Sequence, residues 1–162
     1  MVRTERLILR EFIESDAQAF FLIMSDQEAN TFLPWFPLQS LEEAEAYLRE
    51  KVLDKDRKSG YFCAVCLRED NVPIGYLHLS QEDSHDFGYA LRKEFWHKGI
   101  TTEAALAFTE RVRQAGIPYI TATHDVSNPR SGEVMKKIGM VYRNSYEEQW
   151  QPKDFPVTFR MY

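Results

Sequence analysis

Residues 86–108, DFGYALRKEFWHKGITTEAALAF, limit what this chain can fold into more than any other stretch. They predict a strand ending near Leu91, a short turn, and a long helix opening at Gly99. The helix carries Ala104, Leu106, Ala107, Phe108 and Val112 as its apolar positions and ends at Ala115-Gly116, before Pro118. The first backbone N–H groups of a helix have no intrahelical partner, and that end carries partial positive charge. Gly99 allows close approach to this backbone, Thr101 and Thr102 add hydroxyl donors, and Arg92, Lys93, His97 and Lys98 place cations beside it. Such a turn suits a pyrophosphate. The same residues also read as an ordinary helix start with solvated lysines. A P-loop is absent, because no second glycine is followed by Lys and Ser/Thr.

The rest of the chain supplies the surroundings for this unit. RLILREF alternates, with Leu7, Leu9 and Glu11 on one side and Ile8, Arg10 and Phe12 on the other, as a first strand does. Ser15 and Asp16 offer an N-cap for a helix through AQAFFLIMS. The proline- and aromatic-rich loop NTFLPWFPLQS stops that helix, and SLEE opens a second one predicted to reach about Lys58. Strands follow at Tyr61–Leu67, Ile74–Ser80, Phe87–Leu91, Tyr119–His124, Met140–Glu148 and Val157–Tyr162, with a last helix from Asn128-Pro129 to Gly139. No linker or repeat divides the 162 residues, so one domain over 1–162 is expected.

Composition narrows the function classes. The chain is 44% hydrophobic and 28% charged, the balance of a globular domain rather than a disordered one. Its net charge of −5 argues against a nucleic-acid partner, although a small cluster of cations around one anion remains compatible with it. No apolar run approaches the ~20 residues that cross a bilayer. MVRTERLILREF reverts to charge too soon for a signal peptide, so no membrane partner and a cytoplasmic location are expected. Cys63 and Cys66 form a C-x-x-C inside an apolar strand without a second ligand cluster, which favours a structural role over redox or zinc chemistry. No metal site is assigned.

WHKGITTEA, preceded by FGYAL and followed one strand later by NPRSGEVMKKIGM, resembles the GNAT superfamily of amine N-acetyltransferases. The resemblance is closest to the branch that acetylates N-terminal amines of ribosomal proteins. It extends through TERLILR and LPWFPLQSLEEAEAYL and so spans nearly the whole chain. It implies an α+β fold: a mixed, mostly antiparallel sheet of about seven strands flanked by about four helices, splayed where the strands at Leu91 and Tyr119–His124 diverge. The family's Q/R-x-x-G-x-G/A segment binds the pyrophosphate of acetyl-CoA. Here Gly99 matches, Trp96 replaces Gln/Arg, and Thr101 departs from Gly/Ala, narrowing the cradle. The resemblance implies coenzyme contacts from Tyr89, Ala90, Leu91, His97, Lys98, Gly99, Ile100, Thr101, Thr102, Asn128 and Ser131. Asn128 would meet the pantetheine arm, and Ser131 would lie near the thioester sulfur.

Acetyl transfer to an amine needs a neutral amine, donors for the developing oxyanion and help for the leaving thiolate. The resemblance places the oxyanion donors at backbone N–H groups within Tyr89–Leu91. Ser131 stands where the family puts its candidate acid, and its alternative role is to satisfy the start of the last helix. The resemblance makes Asp86 the candidate base, since relatives often carry an acidic residue two positions before Gly-Tyr; its alternative is to hold a neighbouring loop. Glu82, His85 and Glu147 are weaker candidates on adjoining segments, and an amine that arrives already deprotonated needs no base. His124, Asp125 and His78 read as structural. Trp35 and Phe36 in the aromatic loop, with Trp150 in the late hairpin, are candidate acceptor contacts. The acceptor is a small-molecule amine or a protein N-terminus. A non-catalytic CoA-binding sensor is the alternative function, and oligomeric state is not legible.

Overall fold

The computed structural model describes residues 1–54, 56 and 60–162. Strands β1 (Val2–Arg3), β2 (Leu7–Arg10), β3 (Tyr61–Leu67), β4 (Pro73–Leu79) and β5 (Phe87–Leu91) form one antiparallel sheet in sequence order. Their alternation is apolar on both faces, so the sheet is buried from both sides. Leu7, Leu9, Val65, Leu77, Phe87 and Leu91 face one core. Ile8, Ala64, Cys66 and Tyr76 face another.

Helices fill each face. The second core is closed by Phe20, Ile23 and Met24 of α1 (Ala17–Met24) and by Ala44 of α3 (Leu41–Tyr47). A short α2 (Gln27–Asn30) lies between them, and α3 continues into a π-helical turn, Leu48–Val52. The predicted extension to Lys58 falls largely outside the described residues. The first core is closed by α4 (Ile100–Gln114), whose Ile100, Ala104, Phe108 and Val112 recur every fourth residue to form one buried stripe. Phe108 stacks on Phe87 at 5.6 Å. Leu106, expected on that stripe, is exposed because it falls off the four-residue spacing.

Two starting signals behave differently. Ser40 caps α3 as its spacing predicts, accepting from Glu43 N at 3.2 Å. Asp16, expected to cap α1, turns back instead. Its carboxylate accepts from Ile13 N at 2.9 Å and receives both terminal nitrogens of Arg10, at 2.7 and 2.9 Å. A half-buried guanidinium draws the carboxylate more strongly than helix amides do.

The carboxyl-terminal strands form a second sheet. β6 (Thr123–Asp125), β7 (Asn144–Trp150) and β8 (Phe155–Met161) are antiparallel in the order β6-β8-β7, with α5 (Pro129–Lys137) between β6 and β7. The expected single seven-stranded sheet is therefore two sheets with eight strands, and five α-helices replace the expected four, among the described residues. One isolated parallel bridge, Asp86 to Thr121, joins the sheets. There Phe87 N donates to Thr121 O at 2.7 Å and Thr121 N to His85 O at 3.2 Å. Residues 119–121, predicted as strand, are held by side chains to the 83–85 loop: Tyr119 Oη donates to Asp83 O and Thr121 Oγ1 to Ser84 O. Beyond this bridge β5 and β6 belong to different sheets and do not pair, which leaves a splay between them.

Candidate active site

β5 presents one row of backbone groups to the splay. Phe87 N–H points toward Thr121, whereas Arg92 N–H points the other way, to Ile74 O at 3.0 Å. Alternation along the strand therefore directs the N–H groups of Tyr89 and Leu91 into the gap. The Leu91 carbonyl on that side accepts from Trp96 Nε1 at 2.7 Å. This bond folds the basic turn back onto the end of β5 through the 3₁₀ turn Lys93–Phe95, and so sets where α4 begins.

The start of α4 is open. Gly99 adopts a left-handed backbone, φ +70°, and no side chain caps the helix. A Cβ at Gly99 would meet only Arg6 Nη2, at 3.6 Å, apart from its own chain neighbours. Arg6 donates from Nη1 to Lys98 O at 2.7 Å and from Nε to Glu103 Oε2 at 2.7 Å. Thr4 Oγ1 and Arg6 N complete the set on Glu103 Oε1, at 2.5 and 3.0 Å. The Glu103 carboxylate is thus occupied by the β1–β2 loop rather than by the helix amides. Burial alone would raise its pKa, but the bonds from Thr4 and Arg6 outweigh burial and hold it below the ordinary value. His97 and Lys98 are exposed on the turn, Thr101 and Thr102 are half-buried in the first helical turn, and Lys98 Nζ lies 5.4 Å over the Phe95 ring. Uncapped amides, a missing Cβ and several cations fit a pyrophosphate. Arg6 was not legible in the sequence, because 93 positions separate it from Gly99 and no local pattern marks it.

Across the splay, α5 starts at Pro129 with Asn128 before it. Asn128 makes no side-chain cap. Ser131 stands in the first turn. Tyr89 Oη donates to Ser131 O at 2.7 Å and lies 2.9 Å from Ser131 Oγ. Burial drives the Tyr89 phenol well above its ordinary value, and the Ser131 bond only partly offsets this. The phenol therefore stays protonated and acts as a donor. The sequence pattern marks Tyr89 for its backbone alone; its hydroxyl carries no local signal. Gly132 is needed beside them, since a Cβ there would lie 2.5 Å from His124 Nε2. His124 itself is buried, with Nδ1 donating to Asp125 O at 2.8 Å, and packs at 5.7 Å on Tyr162.

Asp86 sits at the bridge, on the opposite face of β5 from Phe87 and Tyr89. It is half-buried, and burial raises its carboxyl; His78 opposes the shift and Glu82 adds to it. Ala90, on the same face, packs toward the α1/α3 core. Ser131 and Asp86 therefore flank β5 rather than meet. Glu82 and Glu147 are exposed, and His85, at φ +47°, packs at 5.2 Å on Tyr119.

Of the candidate acceptor residues, Trp35 packs on the α1/α3 core with its indole N–H buried and unpartnered among the described residues. Phe36 is 60% exposed. Trp150 packs at 4.9 Å on Phe159, within the β7–β8 hairpin. The hairpin turn reaches α2 through Lys153, a contact the sequence did not signal. Cys63 and Cys66 are buried, free and on opposite sheet faces, and burial pushes their thiols up to about 12 and about 11. Among the described residues no group of three or more His, Cys, Asp or Glu gathers as metal ligands, and no helix is long and apolar enough to cross a membrane.

Residues 6–141 match the family model described as an acetyltransferase (GNAT) domain. The uncharacterized N-acetyltransferase YnaD of Bacillus subtilis (strain 168) is 30% identical over 143 residues, covering 86% of this chain and 81% of that protein. Among solved structures, a GNAT-family acetyltransferase from Bacillus anthracis superposes with a TM-score of 0.83 at 21% identity, over 99% of this chain and 96% of its own. The ribosomal L7/L12 alpha-N-protein acetyltransferase RimL, in complex with coenzyme A, gives a TM-score of 0.81 at 20% identity, over 98% and 94%.

Proposed function

The chain belongs to the GNAT acetyltransferase family, and we propose that it moves the acetyl group of acetyl-CoA directly to a primary amine, without a covalent enzyme intermediate. The observation that carries this reading is the uncapped, Gly99-led start of α4 beside the splay between β5 and β6. The pyrophosphate would rest on the amides of Ile100, Thr101 and Thr102, flanked by Arg6, His97 and Lys98. Asn128 would hold the pantetheine arm, donating to and accepting from its amides.

Bound acetyl-CoA supplies an activated acyl carbon. The amine nitrogen attacks that carbon, the C–S bond breaks, and the proton lost by the amine balances the thiol released. Tyr89 and Leu91 N–H would receive the developing oxyanion. Asp86, raised by burial, would accept the amine's proton, directly or through water, from the α1/α3 side. The Tyr89–Ser131 pair would stabilise the leaving sulfur. If the Tyr89 proton turns from Ser131 O to Ser131 Oγ, it frees the serine proton to point at sulfur. A buried phenol above its usual pKa is a weak acid, so the pair works by hydrogen bonding rather than by full proton transfer.

The acceptor enters between the aromatic loop that holds Trp35 and Phe36 and the hairpin that holds Trp150. Titration of CoA into the wild-type protein and Gly99→Val tests the cradle. Equal affinity in a folded variant removes the α4 start from the reading.

A further inference from the structure

β5 carries one glycine, Gly88, in the middle of a run that otherwise holds a side chain at every position. Glycine weakens a strand interior, so its presence calls for a cause: a bulge, another backbone close by, a left-handed conformation, or a ligand lying against the chain. The first three are absent at Gly88. The β4–β5 register runs without a shift, pairing Leu77 with Tyr89, His78 with Gly88 and Leu79 with Phe87. A Cβ built at Gly88 meets no heavy atom within 4 Å apart from its own chain neighbours, and its φ lies outside the left-handed region. Gly75 on β4 shows the contrast, because a Cβ there would lie 2.4 Å from Ala90 O and packing alone requires that glycine.

The surroundings of Gly88 belong to the acceptor side. Asp86 and Ala90 lie two residues to either side on the same face of β5, about 7 Å away along the strand. His78 stands opposite in β4, but its ring packs at 4.5 Å on Phe62 of β3 and so lies away from β5. On its other edge β5 has no strand partner beyond the Thr121 bridge. The Asp86 carboxylate is half-buried and accepts no hydrogen bond among the described residues. A carboxylate without a donor, next to an uncovered stretch of strand, suits a donor that arrives with a ligand, and an amine N–H is one. We infer that Gly88 is a specificity-determining residue for the acceptor: the carbon that bears the reacting amine rests over its missing side chain, between Asp86 and Ala90, and the room there sets how bulky that carbon can be. This rests on the proposed acyl transfer.

The test measures thiol release from acetyl-CoA with propylamine and isopropylamine, isomers that differ only in branching at the carbon that bears nitrogen. Wild type is compared with Gly88→Ala and Gly88→Val. A regular strand backbone accepts both side chains, so the urea midpoint should stay equal or rise. KM for acetyl-CoA stays unchanged. For propylamine, kcat/KM should fall about tenfold in Gly88→Ala and about 10²-fold in Gly88→Val, since misplacing a reacting group by about 1 Å costs on that order. The fall for isopropylamine should be larger in each variant. A glycine that only served the sheet would lose activity only with stability. Wild-type kinetics for both isomers in Gly88→Val, an equal loss for the two, or a raised KM for acetyl-CoA overturns the assignment. Calorimetric titration of propylamine into CoA-loaded protein gives the answer without turnover. Binding that Gly88→Val weakens supports the assignment; binding that it leaves unchanged, or no binding to the loaded wild type, overturns it. Absence of thiol release with every amine, beside a titration that still depends on Gly88, is a failure of the proposed activity alone.

Discussion

Tyr89 Oη donates to Ser131 O at 2.7 Å and stands 2.9 Å from Ser131 Oγ, so one side chain of β5 crosses the splay and holds the first turn of α5. The two hydroxyls are one unit, and they should fail as one. Ser131→Ala and Tyr89→Phe are each expected to lower kcat while leaving CoA affinity nearly unchanged, since the bond matters as charge develops on sulfur. General acid–base help is worth about 10²–10⁴-fold, and hydrogen-bond stabilisation alone should fall at or below the lower end of that range. The double variant should lose little beyond either single one, because neither hydroxyl works without the other. Additive losses in steady-state kcat would separate the residues.

Gly99→Val should weaken CoA binding at least tenfold. The φ of +70° is hostile to a β-branched residue, and left-handed backbone penalises an L side chain by about 1–2 kcal/mol. Gly99→Ala separates the two effects. Its single methyl would meet only Arg6 Nη2, at 3.6 Å, so it should lose stability with a smaller loss of affinity. Calorimetric titration with CoA and a urea melt of each variant read the two quantities independently. Thr101→Gly, which restores the family pattern, should raise affinity if the side chain crowds the cradle. A drop would make its hydroxyl a donor.

Asp86→Asn addresses the base. Burial raises the Asp86 carboxyl, so an active carboxylate appears only as pH climbs through a value above the ordinary one. The acidic limb of kcat/KM against pH should therefore lie above the usual carboxylate range and disappear in Asp86→Asn. A lowered rate with the limb intact would make Asp86 a positioning residue.

Glu103 predicts a stability effect of the opposite sign. Its folded-state pKa is depressed, so its stabilising contribution is complete above the unfolded-state value, about 4.3 for Glu, and is lost as pH falls through the lower folded-state value. Glu103→Gln should be less stable than wild type at neutral pH, and the difference should close on acidification below that range. Urea denaturation at stepped pH reads this directly. A pH-independent difference would assign the effect to packing.

Local signals in the sequence were followed closely wherever a single element satisfies them. The strand ending at Leu91, the helix from Gly99, the cap at Ser40 and the last helix from Asn128-Pro129 all appear, because each depends on its own neighbours. What could not be read depends on distant partners. Asp16 looks like a cap until Arg10 claims it. Residues 119–121 look like strand until the 83–85 loop takes up their hydrogen bonds. Arg6 beside Gly99, Tyr89 against Ser131 and Lys153 on Asn30 are meetings of residues with no shared period, and the candidate site is assembled largely from such meetings.

Release of free thiol from acetyl-CoA tests catalysis at the splay most directly. With saturating acetyl-CoA and a panel of primary amines, at least one amine should produce thiol and acetylated amine in equal amounts, and Gly99→Val should need far more acetyl-CoA for the same rate. Tight CoA binding with no thiol released above background for any amine would contradict this and leave the protein a CoA-binding sensor.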